Sequence, residues 1–122
     1  MKRILIVDDA ATVRMYHRNI LESAGFIVEE AVNGLEAIEK ALQTPFDLYL
    51  VDINMPKLDG FGFLRELRSE AIPQAPAIMV STESEANDQL SAYKAGANVY
   101  LIKPVKPVQL LTHAHLLLGE AR

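Results

Sequence analysis

Five polar side chains in this sequence come directly after short apolar segments. They are three carboxylates, one hydroxyl and one ammonium group: Asp8, Asp9, Asp52, Ser81 and Lys103. Carboxylates that lie within a few ångströms of each other cannot all stay ionised without a cation nearby. Oxygen ligands with positions left open for water suit Mg²⁺ better than zinc or iron. A carboxylate beside Mg²⁺ and a lysine can act as the nucleophile toward a phosphoryl group, which gives an aspartyl phosphate.

Each of these residues, taken alone, has a simpler explanation. An aspartate after a strand often caps the helix that follows, and a lysine is usually solvated. The five residues support a chemical interpretation only if the elements that carry them bring them to one place.

The predicted elements alternate regularly along the chain. Short, continuous apolar runs are typical of strands covered on both faces of a parallel sheet. These runs occupy residues 4–7, 48–51, 77–80 and 99–102, and the more polar residues 26–30 predict an edge strand.

Segments with helical periodicity separate the runs. The apolar residues that mark the first four helices are Val13, Tyr16, Ile20, Leu21 and Ala24, then Leu35, Ile38 and Leu42, then Phe61, Leu64 and Leu67, then Leu90 and Tyr93. Gly25 and Gly96 end the first and fourth helices, and Pro107 begins a fifth that runs to about Gly119. This alternation predicts a single domain over residues 1–122, a three-layer α/β fold with right-handed crossovers. In such a sheet the carboxyl ends of the strands share one crevice, where the five polar side chains should converge.

Length, composition and charge argue against several other classes of protein. The chain has 122 residues, enough for one sizeable core, and half of them are hydrophobic. A net charge of -4 and the absence of cysteine argue against nucleic acid, anionic membrane surfaces, disulfides and thiolate metal sites. No apolar run reaches the roughly 18 residues of a membrane span. We therefore expect a cytoplasmic protein with no nucleic-acid or membrane partner.

The chain resembles the receiver domains of two-component response regulators over essentially its whole length. The motifs that carry the resemblance are Ile6-Val7-Asp8-Asp9, Asn33-Gly34 with Glu36-Ala37, Asp52-Ile53-Asn54-Met55-Pro56 with Asp59-Gly60, Ala95-Gly96-Ala97, and Lys103-Pro104. The resemblance implies a flavodoxin-like (βα)5 fold with a five-stranded parallel sheet in the order 2-1-3-4-5. It also implies a phosphorylation switch that receives its phosphoryl group from a sensor histidine kinase and catalyses only its own phosphorylation and dephosphorylation.

The resemblance assigns roles at the chemical centre. Asp52 would be the phospho-acceptor, and Lys103 would contact the phosphoryl group. The cofactor would be Mg²⁺, held by Asp8, Asp9 and Asp52, with one of the acidic pair acting through water. The backbone carbonyl of Asn54 would complete the protein's share of the ligands.

The resemblance also assigns a route for the signal. Ser81 would be the switch hydroxyl and Tyr100 the switch aromatic, although the adjacent Thr82 is an alternative to Ser81. A proline directly after the functional lysine, in Lys103-Pro104, allows a cis peptide bond at that position.

Among its relatives, the chain is closest in type to the stand-alone chemotaxis response regulator. It ends just after the fifth helix, and Asn54 and Glu83 match the residue types found there, but a receiver cut from a longer regulator would look the same. The expected downstream partner is a target protein, such as the flagellar motor switch or another signalling protein, and homodimerisation on phosphorylation stays open.

The fifth helix suggests where such a partner binds. On a helical wheel one arc of about 120° holds the buried stripe, and Val108 and Leu116 fall outside it. The residues that share the arc are Leu110, Leu111, Ala114, Leu117 and Leu118. The expected output surface lies on the fourth helix, the fifth strand and the fifth helix, and it comprises Lys94, Ala97, Tyr100, His113 and Leu116.

Two rival functions are less well supported. A phosphatase of the haloacid dehalogenase type normally has a second aspartate two positions after its nucleophile, where this chain has Asn54. A receiver that works without phosphorylation usually lacks an acid or the lysine, and none is missing here. The scattered histidines, His17, His113 and His115, are expected to be solvated or partly packed rather than a metal site or a phosphohistidine.

Overall fold

The computed structural model describes residues 1–82 and 86–119, and this part of the chain forms five strands that alternate with five helices. The strands are β1 Arg3–Val7, β2 Ile27–Ala31, β3 Leu48–Asp52, β4 Ala77–Ser81 and β5 Val99–Ile102. The helices are α1 Ala11–Ser23, α2 Gly34–Gln43, α3 Gly60–Ser69, α4 Ala86–Ala95 and α5 Pro107–Leu118. Every strand pair is parallel and the order is β2-β1-β3-β4-β5, which confirms the predicted fold class. None of the described helices is long and apolar enough to cross a membrane.

The sheet has a hydrophobic core on each face. Successive side chains of a strand point to opposite faces, so each central strand supplies both cores. One core packs against α2, α3 and α4 and includes Leu5, Val7, Tyr49, Val51 and Met79. The other packs against α1 and α5 and includes Ile4, Ile6, Leu48, Leu50 and Val80. Each fully buried side chain of this size contributes about 1.5–3 kcal/mol to folding, which is why the strand segments are continuously apolar.

The buried faces of α2 and α4 differ from the prediction, although both helices form where expected. Of the large apolar residues used to predict them, Ile38 packs against the core, but four are exposed: Leu35, Leu42, Leu90 and Tyr93. The buried positions are held by alanines instead: Ala37, Ala41, Ala92 and Ala95. Small side chains let a helix backbone lie close to its neighbours, and this close packing outweighed the greater hydrophobicity of the leucines. In α1, Tyr16 is also exposed, with its hydroxyl donating to the Val105 carbonyl at 2.8 Å.

The buried stripe of α5 agrees with the helical wheel. Leu110 and Ala114 are fully buried, and the other members of the arc are partly buried against the same core. Leu116 and Val108 are 72% and 76% exposed. Two large apolar side chains of this helix are therefore in contact with solvent.

Side chains of α1 and α2 cover the edge strand β2. The Arg18 guanidinium donates to the Val28 carbonyl at 3.1 Å, and the Lys40 ammonium donates to the Glu30 carbonyl. Both carbonyls point away from β1, because the alternate residues of β2 make the ladder bonds to that strand. Arg18 also forms an ion pair with the Glu30 carboxylate.

Arg68 joins the end of α3 to the end of α4. Its guanidinium donates to the Gly96 carbonyl at 2.8 Å and to the Ala75 carbonyl at 2.7 Å. Gly96 has a φ of 118°, and a Cβ at this position would lie 2.7 Å from Cγ of Arg68. The C-terminal end of α4 is therefore fixed against the arginine side chain.

Candidate functional site

Three carboxylates meet at the carboxyl ends of the two central strands. Asp8 and Asp9 follow β1, and Asp52 is the last residue of β3. One oxygen from each of the three lies within 4.8 Å of the others. Asp8 and Asp52 are buried, whereas Asp9 is exposed. The structure thus brings together the three acids that the sequence predicted to converge.

Strand alternation explains why these side chains meet. Asp8, Asp52 and Lys103 each come two residues after a side chain that packs toward α1 and α5, and residues two apart on a strand share one face. The three preceding side chains are Ile6, Leu50 and Leu101. The same face of three strands therefore ends in two acids and a base.

The Lys103 ammonium bridges two of the acids. It lies 2.8 Å from Oδ1 of Asp52 and 3.1 Å from Oδ2 of Asp8. Burial acts to lower the pKa of Lys103, but the hydrogen bond and charge of Asp52, together with Asp8, outweigh burial and raise it. The lysine is therefore cationic at neutral pH. The peptide bond from Lys103 to Pro104 is cis, the form that the sequence allowed.

The surroundings of Asp52 disfavour its ionised form. Burial raises the pKa of Asp52, and the negative charges of Asp8 and Asp9 act in the same direction. The hydrogen bond and charge of Lys103 oppose this rise without cancelling it. The charged form of Asp52 is thus held at a cost in free energy, and an added cation would lower that cost.

The donor set fits Mg²⁺. Three ionised carboxylates and one lysine leave two negative charges, which one divalent cation neutralises. All the available donors are oxygens, as this hard cation prefers. Asn54, whose backbone carbonyl was expected to join the ligands, lies on the exposed loop that follows β3. Among the described residues, Asp8, Asp9 and Asp52 form the acidic cluster that could hold a metal ion.

Ser81 and Tyr100 lie on the face of the sheet that packs against α4. Ser81 pairs with Ile102 in the strand register, so Tyr100 is two residues away on the same face. Both side chains are buried, with exposures of 1% and 9%. Thr82 is exposed, so of the two adjacent hydroxyls Ser81 is the one that is buried on the same face as Tyr100.

The expected output surface needs one correction. Lys94 and Leu116 are exposed and His113 is partly exposed, as a docking surface requires. Ala97 and Tyr100 are instead buried in the core beneath α4. Ala97 lies between α4 and β5, where its methyl group packs inward, and it adds no surface for a partner.

Two of the three histidines are buried, contrary to the expectation that they would be solvated or partly packed. His17 is 2% exposed and His115 is 8% exposed. The sequence spacing indicates the burial of His17, because this residue lies four residues after Val13 and three before Ile20 on the inner face of α1. Burial lowers the pKa of His17, although the charge of Asp8 acts in the opposite direction. His17 also lines a cavity of about 340 Å³ beside Lys103.

Comparison with known proteins gives consistent matches. A family model described as "Response regulator receiver domain" matches residues 4–115. The chemotaxis protein CheY of Bacillus subtilis is 41% identical over 110 residues, which are 89% of this chain and 91% of that protein. The transcriptional regulatory protein ResD of the same organism is 35% identical over 119 residues, and the chain spans only 49% of its length.

A solved structure agrees with these matches. The chemotaxis protein CheY4 of Vibrio cholerae has a TM-score of 0.90 at 33% identity, covering 96% of this chain and 98% of that one. Glu83, one of the two residues that suggested the chemotaxis subclass, lies outside the described residues.

Proposed function

The chain belongs to the family of response regulator receiver domains, and from this premise we propose that it is a phosphorylation switch whose acceptor is Asp52. Members of this family are signalling switches of two-component systems, with a histidine kinase on one side and downstream targets on the other. The observation that supports the proposal is the contact of the Lys103 ammonium with both Asp52 and Asp8 inside an acidic cluster.

The proposed reaction transfers one phosphoryl group. A carboxylate oxygen of Asp52 bonds to phosphorus while the bond from phosphorus to the phosphohistidine nitrogen of the kinase breaks, and the imidazole leaves with that electron pair. Lys103 lies 2.8 Å from Asp52 and supplies positive charge where the phosphoryl oxygens arrive. Mg²⁺, when bound, neutralises charge on the transferred group. The residues that would hold it are Asp8, Asp9, Asp52 and the backbone carbonyl of Asn54.

The proposed signal then crosses the sheet. New phosphoryl oxygens on Asp52 accept a hydrogen bond from the Ser81 hydroxyl, which is followed by a change in the packing of Tyr100. Because Tyr100 packs beneath α4, the surface formed by Lys94, His113 and Leu116 is the proposed output face. Its target is another protein or a second copy of this chain.

A chemotaxis-type regulator is the favoured subclass. The Bacillus subtilis chemotaxis protein is 41% identical over 110 residues, whereas the transcriptional regulatory protein ResD of that organism is 35% identical over 119 residues.

The test of the acceptor uses acetyl phosphate as the donor. With Mg²⁺, one hydroxylamine-labile phosphoryl group should appear per chain, and peptide mapping should place it on Asp52. Asp52→Asn should remove it. Asp47→Asn is the matched control, because Asp47 precedes the same strand at the opposite end, where it accepts a bond from the Arg3 amide. Labelling of Asp52→Asn on another carboxylate at the wild-type rate would contradict the proposal.

A further inference from the structure

The loop between β3 and α3 carries Asn54 and has an uncommon backbone shape. Lys57 and Leu58 both have positive φ angles, of 51° and 82°. Residues with a Cβ rarely adopt this left-handed region, since it brings the Cβ close to the carbonyl oxygen. Contacts from elsewhere must therefore hold the loop in this shape.

The first turn of α2 provides such contacts. The Gly34 amide donates to the Leu58 carbonyl at 3.1 Å, and the Leu35 amide donates to the Lys57 carbonyl at 3.3 Å. The first amides of a helix have no partner inside the helix, so these two donors are available to the loop. Among the described residues, these are the two backbone hydrogen bonds that join residues 54–58 to another element.

The approach of the loop to α2 requires a glycine. A Cβ on Gly34 would lie 2.4 Å from the Leu58 carbonyl oxygen and 2.9 Å from the Leu58 Cβ. The nearest obstacle is backbone, which cannot rotate away as the end of a side chain can. Asn33 fixes the start of the helix, because its side chain accepts a bond from the Glu36 amide at 2.8 Å.

The loop is also closed at its base. The Gly60 amide donates to the Ile53 carbonyl at 2.8 Å, directly after Asp52. The loop is thus a short arch with one end on the acceptor strand and its crest against α2. Because few residues separate the crest from Asn54, a shift of the crest should also move Asn54.

We propose that Gly34 is a positioning residue for the metal site, because the start of α2 braces the arch that carries Asn54, two residues after Asp52. This inference rests on the Mg²⁺ site proposed above and assigns a role to the Asn33-Gly34 motif, which has none in the phosphoryl chemistry. Gly34 touches neither the metal nor the phosphoryl group and acts through the backbone of Leu58.

The test is Mg²⁺ binding to the full chain, followed by NMR. Gly34→Ala should weaken Mg²⁺ binding about ten- to a hundredfold, the range for loss of a group that orients a metal ligand. In the metal-free protein the same variant should shift the amide signals of residues 54–58 and speed hydrogen exchange at the Leu35 amide. Phosphorylation of Asp52 should recover at saturating Mg²⁺, because the acceptor and Lys103 are unchanged.

Two control variants separate positioning from general stability. The atoms nearest to a Cβ on Gly62 would belong to side chains, with Cδ1 of Leu58 at 2.5 Å and Oδ1 of Asp59 at 3.3 Å. A Cβ on Gly25 would meet nothing within 4 Å, although its φ of 93° strains any side chain there. Gly62→Ala and Gly25→Ala should therefore keep the wild-type Mg²⁺ affinity.

Each outcome bears on a different claim. Wild-type affinity in Gly34→Ala, or an equal loss in Gly25→Ala at equal loss of stability, would overturn the positioning role. A wild-type protein that binds no Mg²⁺ would overturn the metal site itself, and the positioning role with it. If Gly34→Ala does not fold, Asn33→Ala loosens the same helix start, and an unchanged Mg²⁺ affinity in that variant would count equally against the proposal.

Discussion

Asp9→Asn should make the metal-free protein more stable and the Mg²⁺-loaded protein less stable than wild type. Asp9 has an oxygen within 4.8 Å of oxygens on Asp8 and Asp52. At that separation two like charges repel by about 3 kcal/mol at an effective dielectric constant of 20. Asp9 is exposed, so water and salt reduce each repulsion to at most about 1 kcal/mol. Removing both should raise the free energy of unfolding by about 1–2 kcal/mol, or the melting temperature by about 4–8 °C.

With Mg²⁺ bound, the wild type should be more stable than Asp9→Asn. At a concentration of 100 times its dissociation constant, Mg²⁺ stabilises the wild type by about 2.7 kcal/mol. A hundredfold loss of affinity would leave the variant with less than about 0.5 kcal/mol of that gain. Urea denaturation with EDTA and with Mg²⁺ measures both effects. Glu39→Gln is the control, because it removes one exposed negative charge on α2. A metal-free Asp9→Asn that is less stable than wild type, or one that keeps the full Mg²⁺ gain, would refute the reasoning.

Three further predictions concern the signal path and the scaffold. Ser81→Ala should be phosphorylated at Asp52 at a near-normal level but show little change in the Tyr100 ring signals by NMR, and a normal change would indicate another route. Leu116→Glu should fold and be phosphorylated normally yet bind its target or a second copy more weakly, whereas Leu42→Glu, the same change at an exposed position of α2, should leave that binding unchanged. Arg68→Ala should lower the free energy of unfolding by about 2–3 kcal/mol, because the carbonyls of Gly96 and Ala75 lose their donor; a loss under about 0.5 kcal/mol in urea denaturation would show that water replaces the guanidinium.

The acidic cluster could be predicted because it depends on a local pattern, whereas the sheet order followed from the resemblance to receiver domains. Asp8 and Asp52 follow apolar runs whose parity and length are visible in the chain, and the parallel arrangement then brings their ends together. The position of Lys103 followed from the same rule, and the structure adds the direct contacts to both acids.

The parts that could not be predicted depend on close packing between distant segments. The burial of Ala92 in place of Leu90 reflects how near α4 lies to its neighbours, and hydrophobicity alone favours the leucine. The positive φ angle of Leu58 has no signature in its own residue type, because it is held by α2, more than twenty residues earlier. Gly34 could be recognised in the sequence as part of a motif, but its contact with the loop is seen only in the folded structure.

The coverage of β2 by Arg18 and Lys40 bears on how copies of this protein meet at high concentration. An edge strand with free carbonyls is a template for strand addition, the first step toward swapped or fibrillar assemblies. Here the outward carbonyls of Val28 and Glu30 already accept bonds from these two cationic side chains. An incoming strand would have to displace both side chains and break the ion pair that Arg18 forms with Glu30. Self-association through strand addition at the β2 edge is therefore disfavoured.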